Sequence, residues 1–201
     1  MRMHAWSYRL ALPRLRVARL LRRRGRVILG VDPGLTGALA ALFDDGGLAW
    51  VMDMPVVDKN VNAVTLAQEL RDRGISIAVV ERVASMPGQG VSSVFKFGKG
   101  YGQVLGVLAA LEIPLVEPTP SQWKSAMNLS KDKELSRALA IKTWPSMAKF
   151  FERKKDADRA EAALMALWHL QKTQNLPPHV DTPKRVPPPK PGQGRTLHRR
   201  S

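Results

Sequence analysis

Two apolar runs in this chain stop on a carboxylate. Val27–Val31 ends at Asp32, and Ile75–Val80 ends at Glu81. A near-continuous apolar run such as "ISIAVVE" predicts a strand buried on both faces, because both alternate sets of side chains are mainly apolar. Such a strand needs a layer of helices above it and another below, which points to an α/β fold. Asp32 is followed at once by Pro33 and Gly34, and a second apolar run begins at Ala38. "DPGLTG" and "DDGG" are turn chemistry, so Val27–Asp32, Ala38–Phe43 and Leu48–Met54 read as a three-stranded antiparallel meander.

Further along, Val61–Arg73 has apolar residues at helical spacing and ends at Gly74. "RVASMPGQGVSSVFKFGKG" is rich in Gly and Ser and reads as loop-like at first, with Gly88 and Gly90 serving its flexibility and Phe95 and Phe97 in the loop, before a small-residue helix over Tyr101–Leu111. Ile113–Glu117 reads as a short strand. Ser121–Met127, Lys131–Trp144 and Asp156–Gln171 read as helices, the last strongly amphipathic. The order of elements gives a mixed sheet.

Charge divides the chain. Of the net +15, almost all lies at the ends. Residues 1–26 hold nine Arg and no acid, and residues 176–201 hold six Lys or Arg against one Asp, whereas 27–175 carries seventeen basic and sixteen acidic side chains. Residues 1–25 are expected to be a basic, disordered extension, 26–173 the folded domain, and 174–201 a Pro-rich basic disordered tail with seven prolines. Basic ends of this kind either attract phosphates without regard to sequence or are simply solvated. The first segment also has the composition of an organellar targeting peptide. No run of eighteen apolar residues exists, so no membrane span is expected. The absence of cysteine excludes disulfides and thiolate metal sites and fits a reducing compartment.

If the strands ending at Asp32 and Glu81 are parallel neighbours, their acids meet at the sheet end that ligands favour. Asp158 and Glu161 are three apart on the last predicted helix and share a face. Ala160, Leu164, Leu167 and Trp168 beside them turn that face toward the sheet. Four converging acids would raise one another's pKa. A divalent cation removes the conflict. Mg²⁺ takes oxygen ligands, and two such ions roughly 3.5–4 Å apart suit phosphodiester hydrolysis. Any one of these acids alone reads as a strand terminus or a surface charge; the four in this order read as a site.

The pieces "GVDPGLTGALA", "VVERVASMPGQGVSSVFKFGKGYGQVLGVLAAL", "PLVEPTPSQWK" and "KKDADRAEAALMALW" span about residues 28–170. In them the chain resembles the RuvC-like Holliday junction resolvases of the RNase H-like superfamily, especially the phage-type branch. The resemblance implies a three-layer fold with a five-stranded mixed sheet ordered 3-2-1-4-5. It implies Asp32, Glu81, Asp158 and Glu161 as catalytic metal ligands, with Asp156 as second choice for the third position, because the phage-type pattern carries an acid nearer 156 and glycine where Asp158 stands. Glu161 replaces a commoner Asp and reaches one methylene further. The resemblance further implies two Mg²⁺ or Mn²⁺ ions per site, no organic cofactor, and a homodimer cleaving four-way junctions in the cytoplasm of a bacterium or phage-infected host.

Phe95 and Phe97 flank Lys96, and read either as an aromatic and basic element for unstacked bases or as core packing at a helix start. Lys96, Lys99 and Lys124 read as phosphate contacts or as solvated lysines. Trp123 reads as core, and His169 as structural or surface. Two rival functions remain at this point. One is a non-catalytic DNA-binding or scaffold protein of the same fold. The other is a nucleotide-binding domain of the actin and hexokinase type, which shares "DxGxTG"-like turns but needs two domains.

Overall fold

The computed structural model describes residues 25–174 except 83, 85–87 and 89. The expected extension and tail therefore lie outside the described residues, save for Gly25 and Gln174. β1 (Val27–Asp32), β2 (Ala38–Phe43) and β3 (Leu48–Asp53) form the expected antiparallel meander. Its first turn closes through the Gly37 N–H, which donates to the Gly34 carbonyl at 2.9 Å. A Cβ on Gly37 would lie 2.2 Å from the Asp32 carbonyl oxygen, so no side chain fits there.

A small hairpin follows that the sequence pattern does not announce. β4 (Val56–Val57) pairs with β5 (Asn60–Val61), and Asp58 and Lys59 both take positive φ between them. That is the backbone of a tight two-residue hairpin turn, here without the glycine that usually advertises one. The hairpin also takes Val61 out of the first helix, α1 (Ala63–Leu70), whose N-cap Asn62 accepts from the Thr65 N–H at 3.1 Å.

β6 (Ile75–Val80) runs parallel to β1, with Val80 opposite Val31, and β7 (Leu115–Val116) runs parallel to β6. The sheet order is β3-β2-β1-β6-β7. With the hairpin set aside, this is the expected 3-2-1-4-5. The strand expected over Ile113–Glu117 is thus only two residues long.

The segment before Tyr101 departs from expectation. Val91–Ala110 is one continuous helix, α2, so Phe95, Lys96, Phe97 and Lys99 are helical and not in a loop. Each interior glycine costs a helix about 1 kcal/mol relative to Ala, and α2 contains Gly98, Gly100, Gly102 and Gly106. Packing offsets that cost: Val104, Val107 and Leu108 are buried, and Gly100 lies against Val61. The remaining helices are α3 (Pro120–Ala126), α4 (Lys133–Thr143) and α5 (Ala157–Gln174). Two 3-10 segments, Pro145–Phe150 and Lys154–Asp156, lie between the last two.

The two faces of the sheet carry separate cores. Leu29, Val31, Ala78 and Val80 pack with Leu66 and Leu70 of α1 and with Val104 and Leu108 of α2. Ile28, Ala40 and Val79 pack with Trp123 of α3, Ala140 of α4 and, from α5, Ala160, Ala162, Ala163 and Ala166. Alternation along β1 therefore assigns Ile28, Gly30 and Asp32 to the α5 face. Gly30 is what lets α5 come close. A Cβ there would lie 1.9 Å from the Ala162 carbonyl oxygen, a backbone collision that no rotamer change relieves. The helix bearing Asp158 and Glu161 is thereby seated on the strand bearing Asp32.

Candidate metal centre and nucleic-acid interface

The parallel register of β1 and β6 brings Asp32 and Glu81 to one sheet end, and the Glu81 N–H donates to the Val31 carbonyl at 3.1 Å. Above them stands the first turn of α5. Asp158 and Glu161 are almost wholly buried, at 9% and 4% exposure. Asp32, Asp158 and Glu161 each offer a carboxylate oxygen within 4.8 Å of the others. Glu81 stands beside this set without joining it. Its Oε1 accepts instead from the indole N–H of Trp123 at 2.9 Å.

The acids disturb one another. Burial pushes the Asp32 carboxyl up to about 7, and the neighbouring charges of Asp158, Glu81 and Glu161 add to the rise. The Gly34 N–H, which donates to Asp32 Oδ1 at 3.2 Å, opposes it. Glu81 is also raised, chiefly by burial and against the pull of the Trp123 N–H, and Lys124 and Lys133 lower it.

Cationic and hydroxyl donors answer the other two acids. Glu161 Oε1 accepts from Lys124 Nζ at 2.6 Å and from the buried Ser136 hydroxyl at 3.1 Å. Asp158 Oδ1 accepts from Lys133 Nζ. An oxygen-only donor set, in which burial and then the neighbouring acids raise the Asp32 carboxyl, fits a hard divalent cation of the Mg²⁺ or Mn²⁺ kind.

Asp156 has a different place. It is 1% exposed, lies one residue before α5, and accepts from the Arg153 backbone N–H at 3.0 Å and from the Arg153 guanidinium at 2.9 Å. Arg159 approaches it at 3.5 Å. The Arg153 guanidinium beside it holds its carboxyl below the usual range. It is consumed in an arginine clamp that ties the preceding turn to the helix.

The expected nucleic-acid residues divide. Phe95 and Phe97 are 73% and 39% exposed on the first turns of α2, which removes core packing as their role. Lys96 is exposed beside them, and Lys99 donates to Asn60 Oδ1 at 3.0 Å. Lys124 is no free surface lysine, since it sits on Glu161 and 5.2 Å from the Trp123 ring centre. Trp123 is core, as expected, at 0% exposure. His169 is half-buried further along α5. It lines an open cleft of about 870 Å³ with Trp168, Glu117 and Gln122, and burial lowers its pKa.

Sequence reasoning missed Lys133, Ser136 and the Trp123 indole as partners of the acids. Lys133 and Ser136 are three apart at the start of α4, so they share a face. That spacing was a usable signal, but nothing local said which element the face would meet.

No protein-family model and no curated protein matches the chain. Among solved structures, RuvC of T. thermophilus in complex with Holliday junction substrate superposes with a TM-score of 0.58 at 18% identity, covering 73% of this chain and 96% of that one. A second Thermus thermophilus RuvC structure gives a TM-score of 0.53 at 19% identity over the same shares. At such identity the likeness is one of fold, and this chain has a RuvC-like fold.

Proposed function

We propose, with the RuvC-like fold as premise, that this chain is a divalent-metal-dependent, structure-selective DNA endonuclease acting on four-way junctions or related branched DNA. The observation that carries this reading is the convergence of Asp32, Asp158 and Glu161, with oxygens within 4.8 Å, beside Glu81 at the sheet end. Asp32, Glu81, Asp158 and Glu161 would hold two ions. When bound, Mg²⁺ or Mn²⁺ supplies an activated water and charge neutralisation at the leaving oxygen.

The chain's own groups do the rest. The strand ends and α5 hold the acids rigidly, which keeps the reacting geometry fixed without reorganisation. Lys124 and Lys133 place ammonium groups beside the acids, where an incoming phosphate would meet them. Lys133 is half exposed, at 54%, so a phosphate arriving beside Asp158 would meet its ammonium group. The exposed rings of Phe95 and Phe97 offer stacking platforms to bases that a junction unstacks. A symmetric junction suits a homodimer, and cytoplasmic action follows from the same reading.

The test is cleavage of a synthetic four-way junction beside linear duplex, with Mg²⁺ and with EDTA. The expected result is junction cleavage that needs the metal and is lost in Asp32→Asn with junction binding retained. Metal-independent cleavage, or no cleavage of branched DNA by a folded protein that binds it, overturns the reading and favours a non-catalytic scaffold.

A further inference from the structure

One of the four acids stands outside the set of three, and a tryptophan holds it there. The Trp123 ring is fully buried in the core that includes Ile28, Val79 and Ala163. A buried indole has a single donor and needs a partner for it. Packing fixes the ring, so the direction of its N–H is fixed as well. The helix beneath is equally well held. Thr119 and Gln122 form a reciprocal capping box, and Pro120 opens the first turn of α3. Glu81, one residue past β6, brings Oε1 to this N–H at 2.9 Å. The next residue, Lys124, reaches Glu161 from the same turn.

We infer that Trp123 is a positioning residue: by occupying Oε1 of Glu81, it presents Glu81 to a cation as a one-oxygen ligand through Oε2. This rests on the metal-centre reading above. Partners that orient a metal ligand typically change metal affinity by about 10–100-fold when removed. A merely structural tryptophan would change stability and leave affinity alone.

The experiment is Mn²⁺ titration of the full chain, followed by calorimetry and by the electron paramagnetic resonance of free Mn²⁺. Trp123→Phe keeps an aromatic ring and deletes the N–H. It should weaken Mn²⁺ binding at least about tenfold, while melting in EDTA close to the parent. In a Glu81→Gln background the same change should add nothing. If Trp123→Phe melts low, incorporating benzothienylalanine at position 123 deletes the N–H with the ring shape intact, and the titration is repeated with that protein. Mn²⁺ binding unchanged by loss of the N–H overturns the inference. So does an equal loss in both backgrounds, which would place the effect in core packing. If the parent protein shows no Mn²⁺ binding that Asp32→Asn removes, the metal centre itself fails, and that result is distinct from either of the other two.

Discussion

At Asp32 the folded chain keeps a proton that the unfolded chain gives up. Its folded value of about 7 lies above the ordinary 3.8. Between those values the native state binds more protons than the unfolded one, so this group makes the metal-free protein less stable as pH rises through the window. Asp32→Asn removes the titration while keeping an oxygen for the Gly34 N–H. In EDTA the variant should match the parent near pH 4 and melt higher at pH 8. Added Mg²⁺ should raise the parent's melting temperature at pH 8 and raise the variant's much less. A difference between the two that stays constant across pH would show that this carboxyl is not the frustrated group. Asp156 and Asp158 differ in kind. Asp156→Asn weakens a part-buried, charge-assisted bond to Arg153, and should lower the melting temperature with Mn²⁺ affinity kept. Asp158→Asn should lose affinity with little change in melting. The opposite ranking would return the third ligand to Asp156, the position that the phage-type pattern favours.

Among the elements, α2 carries the clearest test of DNA selection. Phosphates do not distinguish a junction from a duplex, because both carry the same backbone. Bases that unstack at a crossover do. Phe95 is 73% exposed on a well-formed helix, so Phe95→Ala removes a ring without opening a cavity. Stacking on an aromatic is worth roughly 1–3 kcal/mol per base. The variant should melt like the parent and bind a four-way junction about ten- to a hundredfold more weakly, with linear duplex affinity unchanged. Equal losses on both substrates in a binding assay would remove Phe95 from selection. The same helix shows where the sequence misleads. The glycines and serines of 91–100 argue locally for a loop, yet these mostly exposed residues continue as helix the turns that Val104, Val107 and Leu108 anchor in the core. The β4–β5 hairpin was hidden because its strands have two residues each and its turn has no glycine. By contrast β1, β2 and β6 were plain in the sequence, since strands buried on both faces for all or much of their length leave near-continuous apolar runs. Asp32 and Glu81 were legible for the same reason, since each ends such a run, whereas Asp158 and Glu161 were legible from their spacing of three on one helix face. Their partners were not, because Trp123, Lys133 and Ser136 reach the site from α3 and α4, and no local pattern fixes how those helices dock.

For the whole molecule, the distribution of charge separates two kinds of DNA binding. The segment 27–175 has seventeen basic and sixteen acidic side chains, and several of its cations are already committed to acids of the same domain. Arg159 grips Asp53, Arg153 grips Asp156, and Lys124 and Lys133 sit on Glu161 and Asp158. Little net attraction for a phosphate backbone is left in the domain. On the proposed reading, the nine Arg of residues 1–26 and the six Lys or Arg of 176–201 would supply it instead. Each phosphate neutralised releases condensed counterions, so the slope of log affinity against log salt shrinks by about 0.9 for every phosphate that the protein ceases to neutralise. Removal of 1–24 and 175–201 should therefore weaken linear duplex binding and flatten its salt dependence. It should leave the ratio of junction to duplex affinity equal or larger, because the duplex loses its main attraction while the junction keeps the aromatic platform. Binding isotherms on both substrates across a salt series measure this directly. If the truncated domain keeps the full salt slope, the phosphate-binding groups lie within the fold. If it loses its preference for the junction, recognition belongs to the basic ends, and the exposed rings of α2 do not make the choice.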